Sequence, residues 1–292
     1  MVREEDMKTS EIIRNLPLGE ADAVLLGVPY QKTVSGEKGT AKAPMAICQQ
    51  LKEQVEEFDF LLKRRICGEV KITEGHMDIL TNVEPWEMVE HIFQETSFIL
   101  NHKKFPVVLG GEHTVSLGAI RAAALKFPDL TVVQFDAHAD MRENTGDYEE
   151  ASQKIAHSTV MFQASMAVRQ ILQIGIRSMS EGEYAFLNDT GMIKNVIPAN
   201  SLGNPEDIVD RIQSRNVYLT VDVDVLSGAD FPGTGTFEPG GISWDKFIDI
   251  AKLLFQRKNV VSFDVVEVIP DRKTEYSAAK LVYNLIGRKF CK

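Results

Sequence analysis

Cysteine is scarce. Cys48, Cys67 and Cys291 are few, widely spaced and odd in number, and no Cys-x-x-Cys pair occurs. A disulfide framework and a thiolate zinc site are both excluded on that count. Long apolar runs are absent as well: none reaches the roughly 18 residues a membrane span needs. The charged opening stretch, Met1–Glu11, has no apolar centre of the secretion-signal kind. Nor is there a long Lys/Arg run, and the formal net charge is −10. Nucleic acid and anionic membrane are therefore not the expected partners, and a reducing cytoplasm is the expected compartment. An acidic chain suits a small cationic substrate, although charge by itself argues this weakly.

What the chain does have is 292 residues with 44% hydrophobic content, enough for a substantial core. Short β-branched runs at Ala23–Val28, Val107–Leu109, Thr131–Phe135, Ile171–Ile176, Val217–Val223 and Val260–Val265 read as strands buried on both faces. Helical periodicity lies between them, at Trp86–His102, Val115–Phe127, Ser180–Leu187, Pro205–Gln213, Trp244–Phe255 and Thr274–Ile286. Ser180 and Ser243 are candidate N-caps; Glu183 completes a capping box for the first, and Lys246 does not for the second. The alternation implies a mainly parallel sheet wrapped by helices. With no repeat, low-complexity tract or polar linker, residues 1–292 read as a single domain. The loops Gln31–Ala43, Arg142–Ala156 and Ser227–Gly241 are long for such a fold. Ligands of open parallel sheets sit beyond the strands' carboxyl ends, which makes these loops candidate site walls.

The chemistry concentrates at three strand ends. Asp136-Ala-His-Ala-Asp140 follows Thr131–Phe135, and alternate residues of an extended chain share a side, so Asp136, His138 and Asp140 are expected to converge. Asp222-Val-Asp224 repeats the pattern at the end of Val217–Val223. Leu109-Gly-Gly-Glu-His-Thr114 delivers His113 to the same edge, its glycines permitting a tight turn. Each piece alone has a plain alternative: solvated carboxylates at a strand end, or a capping or core histidine. Together they offer two imidazoles and four carboxylates, a set suited to Mn²⁺, Fe²⁺, Co²⁺ or Zn²⁺. Six ligands are too many for one ion and fit two with bridging carboxylates, an arrangement that activates water for hydrolysis.

These motifs, with His157-Ser-Thr-Val, Gly175-Ile-Arg177, Pro232-Gly-Thr-Gly-Thr236, Gly240-Gly-Ile-Ser243 and Ser262-Phe-Asp-Val-Val-Glu267, resemble the ureohydrolases, the arginases, agmatinases and their relatives. The resemblance implies a three-layer α/β/α fold and hydrolysis of a guanidino compound to urea. It further implies a Mn²⁺ pair on His113, Asp136, His138, Asp140, Asp222 and Asp224, and a homo-oligomer, trimeric or hexameric. It assigns the guanidinium to Glu267, proton transfer at the leaving amine to His157, and receipt of the water's proton to Asp140. The Gln153-Lys-Ile-Ala-His157 segment lacks the Ser-Gly-Asn type of arginases, and His-Ser-Thr-Val-Met is more like agmatinases, so agmatine is the expected substrate. Guanidinobutyrate, guanidinopropionate, arginine and formiminoglutamate are the alternatives, with Arg142 a possible partner for a substrate carboxylate. A catalytically silent member kept for assembly is another, and a two-metal phosphoesterase a third. Ser227-Gly228 stands where the family commonly has Asp-Pro. Ala43-Pro44 and Ile47-Cys48 stand in place of Gly-Pro and Ile-Arg. His76, His91 and His102 match no motif and read as structural or exposed.

Overall fold

The structure, a computed structural model, describes residues 11–75, 81–149 and 152–291. Among the described residues ten strands form: β1 (Ala23–Val28), β2 (Phe58–Asp59), β3 (Arg64–Arg65), β4 (Ile72–Gly75), β5 (Phe105–Gly110), β6 (Thr131–Phe135), β7 (Gln170–Ile176), β8 (Val196–Pro198), β9 (Asn216–Asp222) and β10 (Asn259–Val266). Eight of them make one sheet in the order β4-β1-β5-β10-β9-β6-β7-β8. Every pairing in it is parallel. β2 and β3 form a separate two-residue antiparallel ribbon.

Period-two alternation along these strands feeds two cores. On one face Leu25, Val107, Leu109, Phe135, Leu219 and Phe263 pack against α1 (Ala43–Glu53), α2 (Ile66–Glu69), α7 (Pro205–Asp210), α8 (Trp244–Arg257) and α9 (Thr274–Phe290). On the other, Val24, Leu26, Val108, Val132 and Tyr218 pack against α3 (Pro85–Asn101), α4 (Ser116–Lys126), α5 (Val160–Ser165) and α6 (Glu181–Asp189). This is the three-layer α/β/α sandwich expected. Ser180 caps α6 with a complete box through Glu183, while Ser243 accepts only from the Lys246 amide at the start of α8. No helix among the described residues is long and apolar enough to cross a membrane.

Sequence reading missed β4, β8 and the β2–β3 ribbon, and with them α1, α2 and α5. Val223, expected in the strand ending at Asp222, instead opens a 3₁₀ turn over Val223–Val225. The departures at Ser227 and Gly228 have a packing correlate: a Cβ on Gly228 would stand 2.5 Å from the Phe237 ring. The same loop end is pinned where Ser227 N–H donates to the Ile242 carbonyl.

The sheet order decides where the site falls. β5, β10, β9 and β6 are four adjacent central strands, although they come from distant parts of the chain. Their carboxyl ends carry His113, Glu267, Asp222–Asp224 and Asp136–Asp140 respectively.

Candidate metal centre and substrate cavity

Gly111 sets the first ligand. A Cβ there would come within 1.9 Å of the Tyr30 carbonyl oxygen, so only glycine lets the end of β5 lie this close to the chain leaving β1. The chain then enters a 3₁₀ turn over His113–Val115. The backbone N–H of His113 donates to Oε1 of Glu267 (2.7 Å), and that of Glu267 donates to the Gly111 carbonyl (2.8 Å). The two strand ends therefore fix each other reciprocally.

Two groups of potential ligands emerge, and they share one carboxylate. His113, Asp136 and Asp140 form the first; Asp136, His138 and Asp224 form the second. Nδ1 of His113 lies 3.0 Å from Asp136 and 2.9 Å from Asp140. Nδ1 of His138 lies 2.8 Å from Asp224 and 3.7 Å from Asp136. The Asp-x-His-x-Asp triplet thus does not converge on one point, as an extended chain would predict. Asp140 adopts a left-handed backbone, φ 52°, which sends its carboxylate to the His113 side while His138 serves the other. Its carbonyl, accepting from the Met161 and Phe162 N–H groups, holds that conformation. Asp222 stands outside both groups, 3.7 Å from Nδ1 of His113, and its Oδ1 accepts the Asp224 N–H.

Electrostatics support a cation in this position. Burial and the Asp136 charge push the Asp140 carboxyl up to about 7. Burial and the neighbouring Asp224 charge raise Asp222 well above the carboxylate range. Asp136 is buried too, but its close approach to both histidines outweighs this and holds it below that range. Burial likewise opposes charge on His138, yet Asp136 and Asp224 lift it to about 11. Without a cation, protons carry the positive charge these crowded acids require. Nδ1 of buried His113 makes no hydrogen bond. A pair of divalent ions fits this donor set: two imidazole nitrogens, carboxylate oxygens and one shared acid.

Further groups, missed in the sequence, orient the ligands. Nε2 of His113 meets Oγ1 of Thr220 at 2.9 Å, and that hydroxyl donates to Asp264 (2.6 Å), which also accepts from the Tyr218 hydroxyl (2.7 Å). This chain leaves Nδ1 of His113 as the free nitrogen for a metal. A lone acid within the apolar run Val260–Val265 was the available signal for Asp264. Gln134 donates to Asp136 (2.7 Å) and is itself held by Gln173.

Above the ligands opens a cavity of about 440 Å³. All three long loops wall it, through Ser35, through Arg142 and Tyr148, and through Thr236 and Glu238. Glu267 borders it with a left-handed backbone, φ 62°, and burial with the Glu112 charge lifts its carboxyl to about 8. His157 also lines it, with Nε2 3.1 Å from the Ser35 hydroxyl and its N–H donating to Thr33. Burial draws its imidazole down to about 4. Thr33 in turn donates to buried Glu112 (2.6 Å), which ties this loop to the end of β5.

Arg142, the possible partner for a substrate carboxylate, lines the cavity but already has acidic neighbours. It pairs with Asp147, lies 3.7 Å from Glu183 and stacks over the Tyr148 ring. His91 and His102 are exposed and remote from the cavity; His76 lies outside the described residues.

Sheet, cavity and strand-end histidines and aspartates together describe an enzyme of the three-layer α/β/α class with a candidate two-metal site. Its kinship can be named more closely: the sequence profile of the arginase family matches residues 21–288, and the chain belongs to that family. It is 32% identical to an agmatinase of Bacillus anthracis over 91% of both chains. It is also 31% identical to the N(1)-aminopropylagmatine ureohydrolase of Synechocystis, covering 92% of this chain and 89% of that one. The agmatine ureohydrolase structure of Thermoplasma volcanium superposes with a TM-score of 0.83 at 25% identity, covering 97% and 94% of the two chains. Ureohydrolase-type action on guanidino compounds follows from this membership.

Proposed function

We propose that the protein hydrolyses agmatine to putrescine and urea using two Mn²⁺ ions. The observation that carries this reading is the pair of buried ligand groups sharing Asp136 beneath a cavity that Glu267 borders. His113, Asp136, Asp140, His138 and Asp224 would hold the ions, with Asp222 alongside. Bound metal supplies Lewis-acid activation of water at neutral pH.

The chain's own residues supply the rest. Glu267 accepts the guanidinium N–H groups; Oε1 is already anchored by the His113 amide, and no hydrogen bond within the described residues engages Oε2. That anchoring fixes the carboxylate plane and so the orientation of the guanidinium carbon. Asp140 takes the proton the attacking water gives up. As the carbon–oxygen bond forms and the carbon–nitrogen bond to the tail breaks, His157 manages the proton at the leaving amine. The leaving group departs as an ammonium and the other product is urea.

A cationic tail is favoured over a carboxylate because Arg142 is already engaged by Asp147 and Glu183. The similarity to an agmatinase and to an N(1)-aminopropylagmatine ureohydrolase points the same way. Urea release is to be measured with Mn²⁺ across agmatine, N(1)-aminopropylagmatine, 4-guanidinobutyrate, 3-guanidinopropionate and arginine, and formamide release from formiminoglutamate. Agmatine is expected to lead in kcat/KM. No hydrolysis of any of them, with metal bound, would favour the silent-member reading. Assembly as a trimer or hexamer belongs to the same proposal, and sedimentation velocity tests it.

A further inference from the structure

The wall of the cavity contains a carboxylate that the proposed reaction does not use. Glu238 sits in the loop after β9, and its side chain is about one-third exposed at 32%. Its backbone is unusually well fastened. The Arg177 guanidinium donates to the carbonyls of Glu238 (2.9 Å), Pro239 (2.9 Å) and Asp224 (2.7 Å), so one side chain joins this loop to the end of β9. Gly240 and Gly241 then turn the chain away through left-handed conformations, φ 88° and 99°. This gives a purpose to Gly175-Ile-Arg177, which the metal site leaves unexplained: its arginine makes no ion pair among the described residues but fixes where Glu238 stands.

The charge balance of the cavity isolates Glu238. Asp140, Asp222 and Asp224 face the histidines, and Glu267 is anchored to His113. Glu183 is committed to Arg142, the Met141 amide and Ser180. Ser35, Tyr148, Ser158, Ser178, Met179, Ser180 and Thr236 are neutral. Among the described residues, the one ion-pair partner of Glu238 is His138, at 3.8 Å from Nε2. A His138 that gives Nδ1 to a metal is neutral, which leaves the Glu238 charge uncompensated. This carboxylate lies one imidazole breadth beyond the metal-binding nitrogen and lines the same cavity as Glu267.

We propose that Glu238 is the specificity-determining residue for the substrate tail, receiving the distal ammonium of an ω-guanidino amine. The inference rests on the ureohydrolase reading and adds the group that selects among guanidines. A carboxylate and an ammonium in a partly desolvated cleft attract far more strongly than in water, and the same carboxylate repels a guanidino acid.

The test compares manganese-loaded wild type with Glu238→Gln and Glu238→Lys on agmatine, n-butylguanidine and 4-guanidinobutyrate. These share the guanidinium and the spacer and differ in tail charge. Glu238→Gln is expected to lower the agmatine-to-butylguanidine ratio of kcat/KM about tenfold, chiefly through KM. Glu238→Lys is expected to reverse the preference between agmatine and 4-guanidinobutyrate. Calorimetric titration gives a second readout, in which putrescine loses affinity for Glu238→Gln while butylamine does not. An unchanged ratio would overturn the inference, including the case in which all three substrates slow equally because Glu238 serves only to orient His138. Absence of urea from every guanidine with wild type would instead overturn the reading beneath it.

Discussion

Replacing Asp136 with asparagine removes the one carboxylate common to both ligand groups, whereas Asp224 belongs to one of them. The two substitutions should therefore differ in metal stoichiometry. In Asp136→Asn neither group is complete, and little metal should survive gel filtration. Asp224→Asn should retain the ion of the His113 group. The structure also sets the cost to the metal-free fold. Oδ1 of Asp136 accepts the His138 N–H (2.6 Å) and Oδ2 accepts the Gln134 amide (2.7 Å). An asparagine must turn its own NH₂ toward one of these donors. Gln134 cannot flip to compensate, because its oxygen already accepts from Gln173 at 2.7 Å. One buried donor is left facing another, a loss of about 1–3 kcal/mol. The larger effect comes from metal linkage. At free Mn²⁺ a hundredfold above its dissociation constant, wild type gains about 2.7 kcal/mol for each ion and about 5.4 kcal/mol for the pair, or roughly 9 °C in Tm. Asp136→Asn should show almost none of that shift. Elemental analysis of desalted protein and thermal melts with and without Mn²⁺ read both quantities. If Asp136→Asn bound two ions, or Asp224→Asn lost both while Asp136→Asn kept one, the shared-carboxylate arrangement would be wrong.

Glu267→Gln keeps an acceptor for the His113 amide but loses the charge that meets the guanidinium. It should lower kcat/KM for agmatine by about a hundredfold or more while leaving metal content intact. His157 titrates at about 4 because it is buried, below the unfolded value near 6.5, so its contribution to stability is present above 6.5 and lost as the pH falls through 4. Denaturant unfolding at pH 7.0 and pH 4.0 should show a loss of about 2–3 kcal/mol from this source. The loss should be missing in His157→Gln; parallel pH profiles for the two proteins would refute it. Gly111→Ala drives a methyl into the Tyr30 carbonyl and should cost roughly 1–3 kcal/mol in denaturant unfolding, with weakened metal retention because His113 moves with the turn.

The parts legible in the sequence were those whose signal is local. β1, β6 and β10 announce themselves as β-branched runs, and α8 as a capped, periodic segment. β8 ends in Pro198 and is three residues long on the sheet edge, so propensity alone could not reveal it. α1 begins immediately after a glycine-rich loop and has Pro44 in its first turn, which reads equally well as loop continuation. At the site, residue identities were readable because the acids and histidines interrupt apolar strand ends. Their partition was not. The left-handed turn at Asp140 comes from contacts with Met161 and Phe162, which lie a loop away. The engagement of Arg142 by Asp147 and Glu183, and the setting of Glu238 by Arg177, depend on loop packing that composition does not encode.

The order of the central strands has a bearing on biosynthesis. β10 comes after every other described strand of the sheet in chain order, yet it sits in the middle of the sheet between β5 and β9. Until it emerges, two halves of the sheet have exposed inner edges and Glu267 does not yet exist. A nascent chain can therefore collect histidines and aspartates but cannot align the β5 and β9 ends that carry them. Completion of the proposed metal site becomes a late event that reports the arrival of β10, and chains cut short before β10 should not close the sheet.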